Sequence, residues 1–183
     1  FCGGSVPLTG KSDGATTDMS VLTEVQDLEA VIRYAQSLPY TGDTLLLMGC
    51  SQGGMVSALT AAKHPDAVDR LVLFYPAFCI PDDARAGHMM MAHFDPQNLP
   101  EKIHCGPMPL GRCYPEAVMH MPYTGRVLIV HGTADGIVKP DYAKKAAEAY
   151  ANAELHLIDG GAHGFNRRHD TEAIRYLTAF AAL

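Results

Sequence analysis

The sequence lacks the features that would place it in several special classes of protein. No run of apolar residues approaches the roughly 20 residues that a transmembrane helix needs. There is no basic excess, since 14 Lys and Arg stand against 20 Asp and Glu, for a net charge of −6. That balance argues against nucleic acid or an anionic membrane as the partner, because both attract basic surfaces.

The cysteines also lack the C-x-x-C spacing that is typical of metal sites. They are Cys2, Cys50, Cys79, Cys105 and Cys113. Reduced thiols in a cytoplasmic protein are the favoured interpretation, and a Cys105–Cys113 disulfide is the alternative for an exported protein. The chain starts with Phe1 rather than Met and shows no signal peptide, so we expect a processed chain or a piece of a longer one.

Alternating helix and strand patterns occupy most of the 183 residues, which suffice for one domain with a substantial core. Strands are predicted at 45–48, 71–75, 127–130 and 155–158, and helices at 21–35, 52–64, 141–151 and from about 170. Such alternation predicts a parallel sheet flanked by helices. Functional groups should therefore gather at the carboxyl ends of the strands.

Two finer expectations concern burial within these elements. The strand at 45–48 is apolar without alternation, which predicts burial on both faces. The last helix is expected to begin with Asp170 as its N-cap and to bury Ile174, Leu177 and Phe180.

The segment from about 78 to 124 interrupts the alternation. It has no clean strand pattern and is rich in proline, histidine and methionine, which favours an ordered cap inserted into a single domain spanning 1–183. Its histidines form no tight H-x-x-x-H pair backed by carboxylates, so we expect no metal site.

The most informative motif is Gly49-Cys50-Ser51-Gln52-Gly53, which lies between a predicted strand and a predicted helix. In that context G-x-S-x-G predicts a nucleophile elbow, a sharp turn that exposes the serine hydroxyl. We expect glycine at both 49 and 53 because a Cβ there would collide with neighbouring chain. Ser51 would also lie at a helix N-terminus, where unpaired N–H groups stabilise negative charge.

A serine nucleophile needs a base and a carboxylate, and two later strand ends supply candidates. Asp135 and His163 each follow a predicted strand by about five residues, in the order serine, acid, histidine. The alternatives are weaker. Asp159 suits an ordinary loop position, and His131 lies so close to its strand end that it more plausibly braces the loop. Asp141, His169 and Asp170 suit helix starts.

The motif at 49–53 and the segments 131–135 and 161–165 resemble those of the α/β-hydrolases. The resemblance spans about residues 10 to 183. More narrowly, the chain is similar to bacterial cinnamoyl (feruloyl) esterases at 12–14, 19–21 and 24–27 and in its cap. The resemblance implies Ser51 as nucleophile, His163 as general base and then acid, and Asp135 as the group that orients the imidazole. It also implies the backbone N–H of Gln52 as an oxyanion donor, and no cofactor.

The resemblance further implies that cap residues contact the phenolic end of the substrate. Asp83 and Tyr114 lie at similar positions, with plain surface or packing roles as the alternative. Family members carry about three more strands before the point where this sequence begins, and no second oxyanion motif precedes Ser51. We therefore expect an N-terminally truncated α/β-hydrolase whose strand at 45–48 forms a sheet edge, with self-association through that edge as a hypothesis.

The resulting functional prediction is a serine esterase that hydrolyses small acyl or aromatic, hydroxycinnamoyl-type esters through an acyl-enzyme. A thioesterase or peptidase remains open, because the catalytic residues do not distinguish among them. A different class of function also remains open: a truncated hydrolase domain, without activity or with little, that binds or assembles with a partner.

Overall fold

A computed structural model describes residues 21–89, 92–93, 97, 104–105, 108–109 and 123–182. The helices in it are α1 (Val21–Ser37), α2 (Gln52–Lys63), α3 (Ile80–Arg85), α4 (Pro140–Ala149) and α5 (Arg167–Ala181). The strands are β1 (Leu46–Cys50), β2 (Arg70–Phe74), β3 (His88–Met89), β4 (Ala92–His93), β5 (His104–Cys105), β6 (Met108–Pro109), β7 (Arg126–Gly132) and β8 (Ala153–Ile158).

The four longer strands form one parallel sheet in the order β1-β2-β7-β8. Leu46 pairs with Arg70 and Arg70 with Arg126, so the strands begin at nearly the same level. Their carboxyl ends therefore lie together at one edge of the sheet. The short strands form two antiparallel pairs, β3 with β4 and β5 with β6. The predicted α/β architecture, a parallel sheet flanked by helices, is confirmed.

Alternate residues of the central strands face two separate hydrophobic clusters, as the two-residue period of a strand requires. Leu71 and Leu73 of β2 pack with α1, α2 and α4 on one face. Val72 and Phe74 pack on the other face with Phe180 of α5. Because both faces are covered, β2 and β7 carry continuous apolar runs.

Helix α1 is amphipathic in the predicted register. Its residues Val21, Val25, Leu28 and Ile32 are all buried, at the spacing of one helical face. Helix α4 begins at Pro140, as expected, because the first helical turn needs no N–H from that residue.

Two expectations about burial and helix ends are wrong. Strand β1 is not buried on both faces, since the residue Met48 is 37% exposed, whereas Leu47, which faces the other side, is 8% exposed. Helix α5 begins at Arg167, because the side chain of Asn166 accepts hydrogen bonds from two N–H groups of the first turn. Asp170 thus lies inside the helix, and Ile174 is 55% exposed.

Much of the predicted cap falls outside the described residues, as do Tyr114 and Cys113. The cap as a whole and the Cys105–Cys113 alternative therefore stay predictions. In the described residues β1 lies at one edge of the sheet, and self-association through it also stays a prediction.

Over the part of the chain that the structure describes, none of the helices has the length and apolarity needed to cross a membrane.

Candidate active site

The turn from β1 to α2 is sharp and strained at Ser51. This residue has φ of 51° and ψ of −124°, a conformation that non-glycine residues rarely adopt. The turn is fixed from both sides, because the Ser51 N–H donates to the carbonyl of Phe74 at 3.0 Å and the Ser51 carbonyl accepts from Ala77 N–H at 2.9 Å. This geometry is that of the nucleophile elbow.

The glycines of the elbow do not play equal parts. A Cβ on Gly49 would lie 2.1 Å from the carbonyl oxygen of Gly53, so only glycine fits there. A Cβ on Gly53 would meet nothing within 4 Å, so the expectation of a collision at that position is wrong. The second tight position is the next residue, Gly54, whose Cβ would lie 2.9 Å from that of Pro76.

The structure brings the three predicted site residues into one hydrogen-bonded line. Ser51 Oγ lies 2.9 Å from His163 Nε2, and His163 Nδ1 lies 2.8 Å from Asp135 Oδ2. With Nδ1–H donating to the carboxylate, Nε2 is free to accept from the serine hydroxyl. The Asp135 side chain is fully buried, whereas that of His163 is 15% exposed. The base is therefore partly accessible and its orienting carboxylate is not.

Asp135 is a buried carboxylate with several donors around it. Its Oδ1 accepts from the backbone N–H groups of Ile137 and Val138, each at 2.9 Å. Its Oδ2 faces both His163 Nδ1 and, at 3.3 Å, His131 Nε2. These donors offset the cost of burying the negative charge and fix the carboxylate in place.

His131 braces the loop that carries Asp135, which agrees with its predicted role. Its Nε2 donates to the carbonyl of Val138 at 2.9 Å, closing the loop from β7. Its Nδ1 is buried and has no hydrogen-bond partner in the described part of the chain. Burial lowers the pKa of His131 below its ordinary value, so this imidazole is neutral at pH 7.

The loops after β7 and β8 run in direct contact. A Cβ on Gly132 would lie 2.0 Å from the carbonyl oxygen of Gly161, and that carbonyl accepts from Ala134 N–H at 2.9 Å. This close approach brings Asp135 next to His163. Glycine at 132 is therefore part of how the acid reaches the base.

Gln52 is the first residue of α2, so its N–H has no acceptor within the helix. Its side chain donates to Glu24 Oε2 of α1 at 2.6 Å. Burial raises the pKa of Glu24, opposed by this hydrogen bond. In the sequence Glu24 is only a polar position of an amphipathic helix, and no local pattern indicates its contact with Gln52.

Sequence reasoning also missed two aromatic residues beside the histidine. Tyr75, expected to end a strand, instead follows β2 with φ of 37°, and its ring lies 4.9 Å from the His163 imidazole, centroid to centroid. Phe165 packs against Tyr75 with a centroid distance of 4.8 Å. The signals in the sequence are that both aromatic residues follow strand ends and that Phe165 ends the motif at 161–165, which does not by itself indicate contact with Tyr75.

The remaining candidates that the structure describes take no part in the hydrogen-bonded line. Asp83 contacts the Cys79 thiol and, at 3.9 Å, His88 Nε2. Asp159 is an exposed loop residue that accepts from Thr133 Oγ1 at 3.2 Å, as expected. Within the described residues, no group of three or more His, Cys, Asp or Glu side chains is placed to hold a metal ion.

Similar solved structures share this fold. Est1E from Butyrivibrio proteoclasticus, with ferulic acid bound, is 28% identical with a TM-score of 0.82, over 94% of this chain and 72% of that chain. A second Est1E structure is 27% identical with a TM-score of 0.78, over 90% and 71%. Mouse alpha/beta hydrolase domain-containing protein 10 is 16% identical with a TM-score of 0.71, over 94% and 73%, and shows the fold alone.

None of the curated proteins matches the chain significantly. The family described as "Serine aminopeptidase, S33" matches residues 9–103, which is just over half of the chain. With an α/β-hydrolase sheet and similarity to Est1E, the protein is a hydrolase that resembles the cinnamoyl esterases. The chain belongs to the serine aminopeptidase S33 family of hydrolases.

Proposed function

We propose that the protein is a serine esterase that works through an acyl-enzyme on Ser51. The observation that carries the proposal is the unbroken line of hydrogen bonds from Ser51 Oγ through the imidazole of His163 to the buried Asp135 carboxylate. The serine oxygen attacks the ester carbonyl while His163 Nε2 takes its proton. The carboxylate stabilises the imidazolium that forms.

The same groups complete the turnover. The imidazolium returns its proton to the leaving alcohol as the tetrahedral intermediate collapses to the acyl-enzyme. Water then attacks the acyl carbon, with His163 again acting as the base, and the acid is released from Ser51. The backbone N–H of Gln52, at the N-terminus of α2, is the proposed donor to the oxyanion.

We further propose small acyl or aromatic esters of the hydroxycinnamoyl type as substrates. The support is the 28% identity with Est1E, whose structure holds ferulic acid. Asp83 and Tyr114 are the proposed contacts of a phenolic group, and a carboxylate such as that of Asp83 can accept a hydrogen bond from a phenol hydroxyl.

An ester panel combined with active-site labelling tests the esterase proposal. The panel compares methyl ferulate with 4-nitrophenyl acetate and 4-nitrophenyl butyrate, and a fluorophosphonate probe reports the nucleophile. We expect Ser51→Ala to lower kcat by about 10⁴-fold or more and to abolish labelling. His163→Ala should slow labelling strongly.

Ser37→Ala is the matched control, because this serine ends α1 and donates only to the carbonyl of Tyr34. It should keep wild-type activity and labelling. Labelling that persists in Ser51→Ala would assign the nucleophile elsewhere. A folded wild-type protein that neither labels nor hydrolyses any ester would instead favour a non-catalytic binding module.

A peptidase is the second candidate, because the matching family is described as a serine aminopeptidase. An aminopeptidase needs a free carboxylate for the substrate amine, and two of the described carboxylates at the site are engaged. Asp135 is bonded to His163, and Glu24 accepts from Gln52. We therefore expect the esters to be hydrolysed faster than aminoacyl 4-nitroanilides, and the reverse order would favour the peptidase.

A further inference from the structure

Three non-glycine residues of the described chain have positive φ angles, and all three lie around His163. They are Ser51 at 51°, Tyr75 at 37° and Phe165 at 52°. Such backbone is unfavourable for non-glycine residues and persists only where the surroundings impose it. The elbow accounts for Ser51. The other two positions place aromatic rings beside the imidazole, and the proposed chemistry does not yet use them.

Tyr75 packs directly on the imidazole. The two rings have a centroid distance of 4.9 Å and an interplanar angle of 62°, close to the edge-to-face geometry that aromatic pairs prefer. Phe165 meets the Tyr75 ring at 4.8 Å and 87°, and also lies 6.0 Å from the ring of Phe74. Tyr75 is thus held between the imidazole and a second aromatic ring.

The backbone of Tyr75 is fixed as well, because its N–H donates to the carbonyl of Val130 on β7 at 2.8 Å. Its hydroxyl lies beside the thiol of Cys50, the residue before the nucleophile. Burial raises the pKa of Tyr75 far above its ordinary value, so the phenol stays protonated. One side chain therefore contacts both the strand of the nucleophile and the ring of the base.

The imidazole needs such a contact for a geometric reason. Its bonds to Ser51 Oγ and Asp135 Oδ2 leave from two nitrogens on opposite sides of the ring. Those two hydrogen bonds only weakly resist a tilt of the imidazole ring about the line that joins its nitrogens. Once Oγ has attacked, the bond to Ser51 is lost, and the imidazolium must still present its proton to the leaving alcohol. A packed ring opposes the tilt throughout.

We propose that Tyr75 is a positioning residue that holds the His163 imidazole in line with Ser51, with Phe165 packed against the Tyr75 ring. This inference rests on the proposed esterase function. It assigns no contact between Tyr75 and the reacting atoms, so the effect of Tyr75 should appear in kcat rather than in KM.

Two variants separate the ring from the hydroxyl. Tyr75→Leu removes the ring and should lower kcat for 4-nitrophenyl acetate by about 10- to 100-fold with KM within about threefold, since a small misplacement of a catalytic group is that costly. Tyr75→Phe keeps the ring and should stay within about fivefold of wild-type kcat. Full kcat in Tyr75→Leu, or an equal loss in Tyr75→Phe, would overturn the role of the ring.

Tyr176→Leu is the matched control. Tyr176 packs against the same hydrophobic cluster as Tyr75 and stacks on another histidine, His156, at 3.8 Å. If loss of a tyrosine ring acts only through general destabilisation, both leucine variants should lose kcat alike, and that result would contradict the proposal. We expect near wild-type kcat in Tyr176→Leu.

A second readout does not depend on hydrolysis. The Nδ1 proton that His163 donates to Asp135 should give a downfield proton NMR signal in the wild type, Tyr75→Phe and Tyr176→Leu. In Tyr75→Leu we expect it to broaden through exchange, and an unchanged signal would overturn the inference. A wild type that hydrolyses no ester would refute the proposed function, while the NMR comparison would still decide the role of Tyr75.

Discussion

At the amino end of the sheet, Arg70 of β2 donates to the carbonyl oxygens of Ala181 at 2.6 Å and Phe180 at 3.4 Å. The guanidinium of Arg126, on β7, lies 4.7 Å from the centroid of the Phe180 ring. Two cations thus meet the carboxyl end of α5, where carbonyls lack partners and the helix dipole is negative. At the carboxyl end of the sheet, the chain instead carries strained backbone at Ser51 and Tyr75 and a buried His131 Nδ1 without a hydrogen-bond partner among the described residues.

The difference shows where unfavourable conformations are tolerated. The polar groups at the amino end are matched to partners, so that end stabilises the fold. The carboxyl end holds a buried carboxylate, a buried neutral histidine and positive φ angles, each of which costs free energy and is compensated by the rest of the domain. Substitutions at the carboxyl end should therefore affect mainly activity, and those at the amino end mainly stability.

Of the substitutions that compare the two ends of the sheet, Asp135→Asn is expected to have the largest effect, on turnover. An amide in place of Oδ2 offers the wrong hydrogen-bonding partner to His163 Nδ1–H, which leaves the imidazole in the wrong tautomer. We expect kcat for 4-nitrophenyl acetate to fall by about 10³- to 10⁴-fold. Asp141→Asn, at the exposed start of α4, is the control and should leave kcat unchanged. An equal loss of kcat in both variants would contradict a specific role of the Asp135 carboxylate at the carboxyl end of the sheet.

A smaller effect, on stability alone, is expected from Arg70→Met. Loss of two hydrogen bonds to the last carbonyls of α5 should lower the free energy of unfolding by about 1 to 2 kcal/mol in urea denaturation, with kcat unchanged. Lys144→Met is the control, since its ion pair with Asp141 is exposed and should matter little. A fall in kcat in folded Arg70→Met would show that the amino end also shapes the site.

The smallest effect concerns the pH dependence that His131 imposes. Burial lowers its pKa from the ordinary value of 6.5, so below about pH 6.5 the unfolded chain binds a proton that the folded protein does not. The free energy of unfolding should therefore fall as the pH drops from 7 toward 5. His131→Gln, which keeps a side-chain N–H donor, should flatten this part of the curve in urea titrations. A fall of the same size in both proteins would assign the effect to other groups.

The sequence predicted the fold and the three aligned side chains for one reason. Parallel strands end at a common edge, so residues such as Asp135 and His163, which follow separate strands, are brought together by topology alone. The position of Tyr75 beside His163 could not be predicted in that way, because it involves a positive φ angle and contacts with Val130 of β7 and with Phe165.

Two errors in the prediction have different causes. The choice of Asp170 as N-cap followed a residue preference, whereas the N-cap lies four residues earlier, at Asn166, which accepts two local hydrogen bonds. The requirement for glycine at 53 followed a motif, but a Cβ would meet close neighbours at 49 and 54 instead. Those neighbours, Gly53 and Pro76, are brought close by the folded turn, which the motif alone does not describe.

Because the strand order is β1-β2-β7-β8, the two hydrogen bonds of the line join loops that are separated by different distances across the sheet. Asp135 and His163 follow adjacent strands, whereas Ser51 and His163 follow the first and last strands of the described sheet, about 14 Å apart at ordinary strand spacing. A slight slackening of the sheet in mild denaturant would accordingly part the hydroxyl from the imidazole while leaving the imidazole–carboxylate pair together. Hydrolysis would then cease before the domain melts.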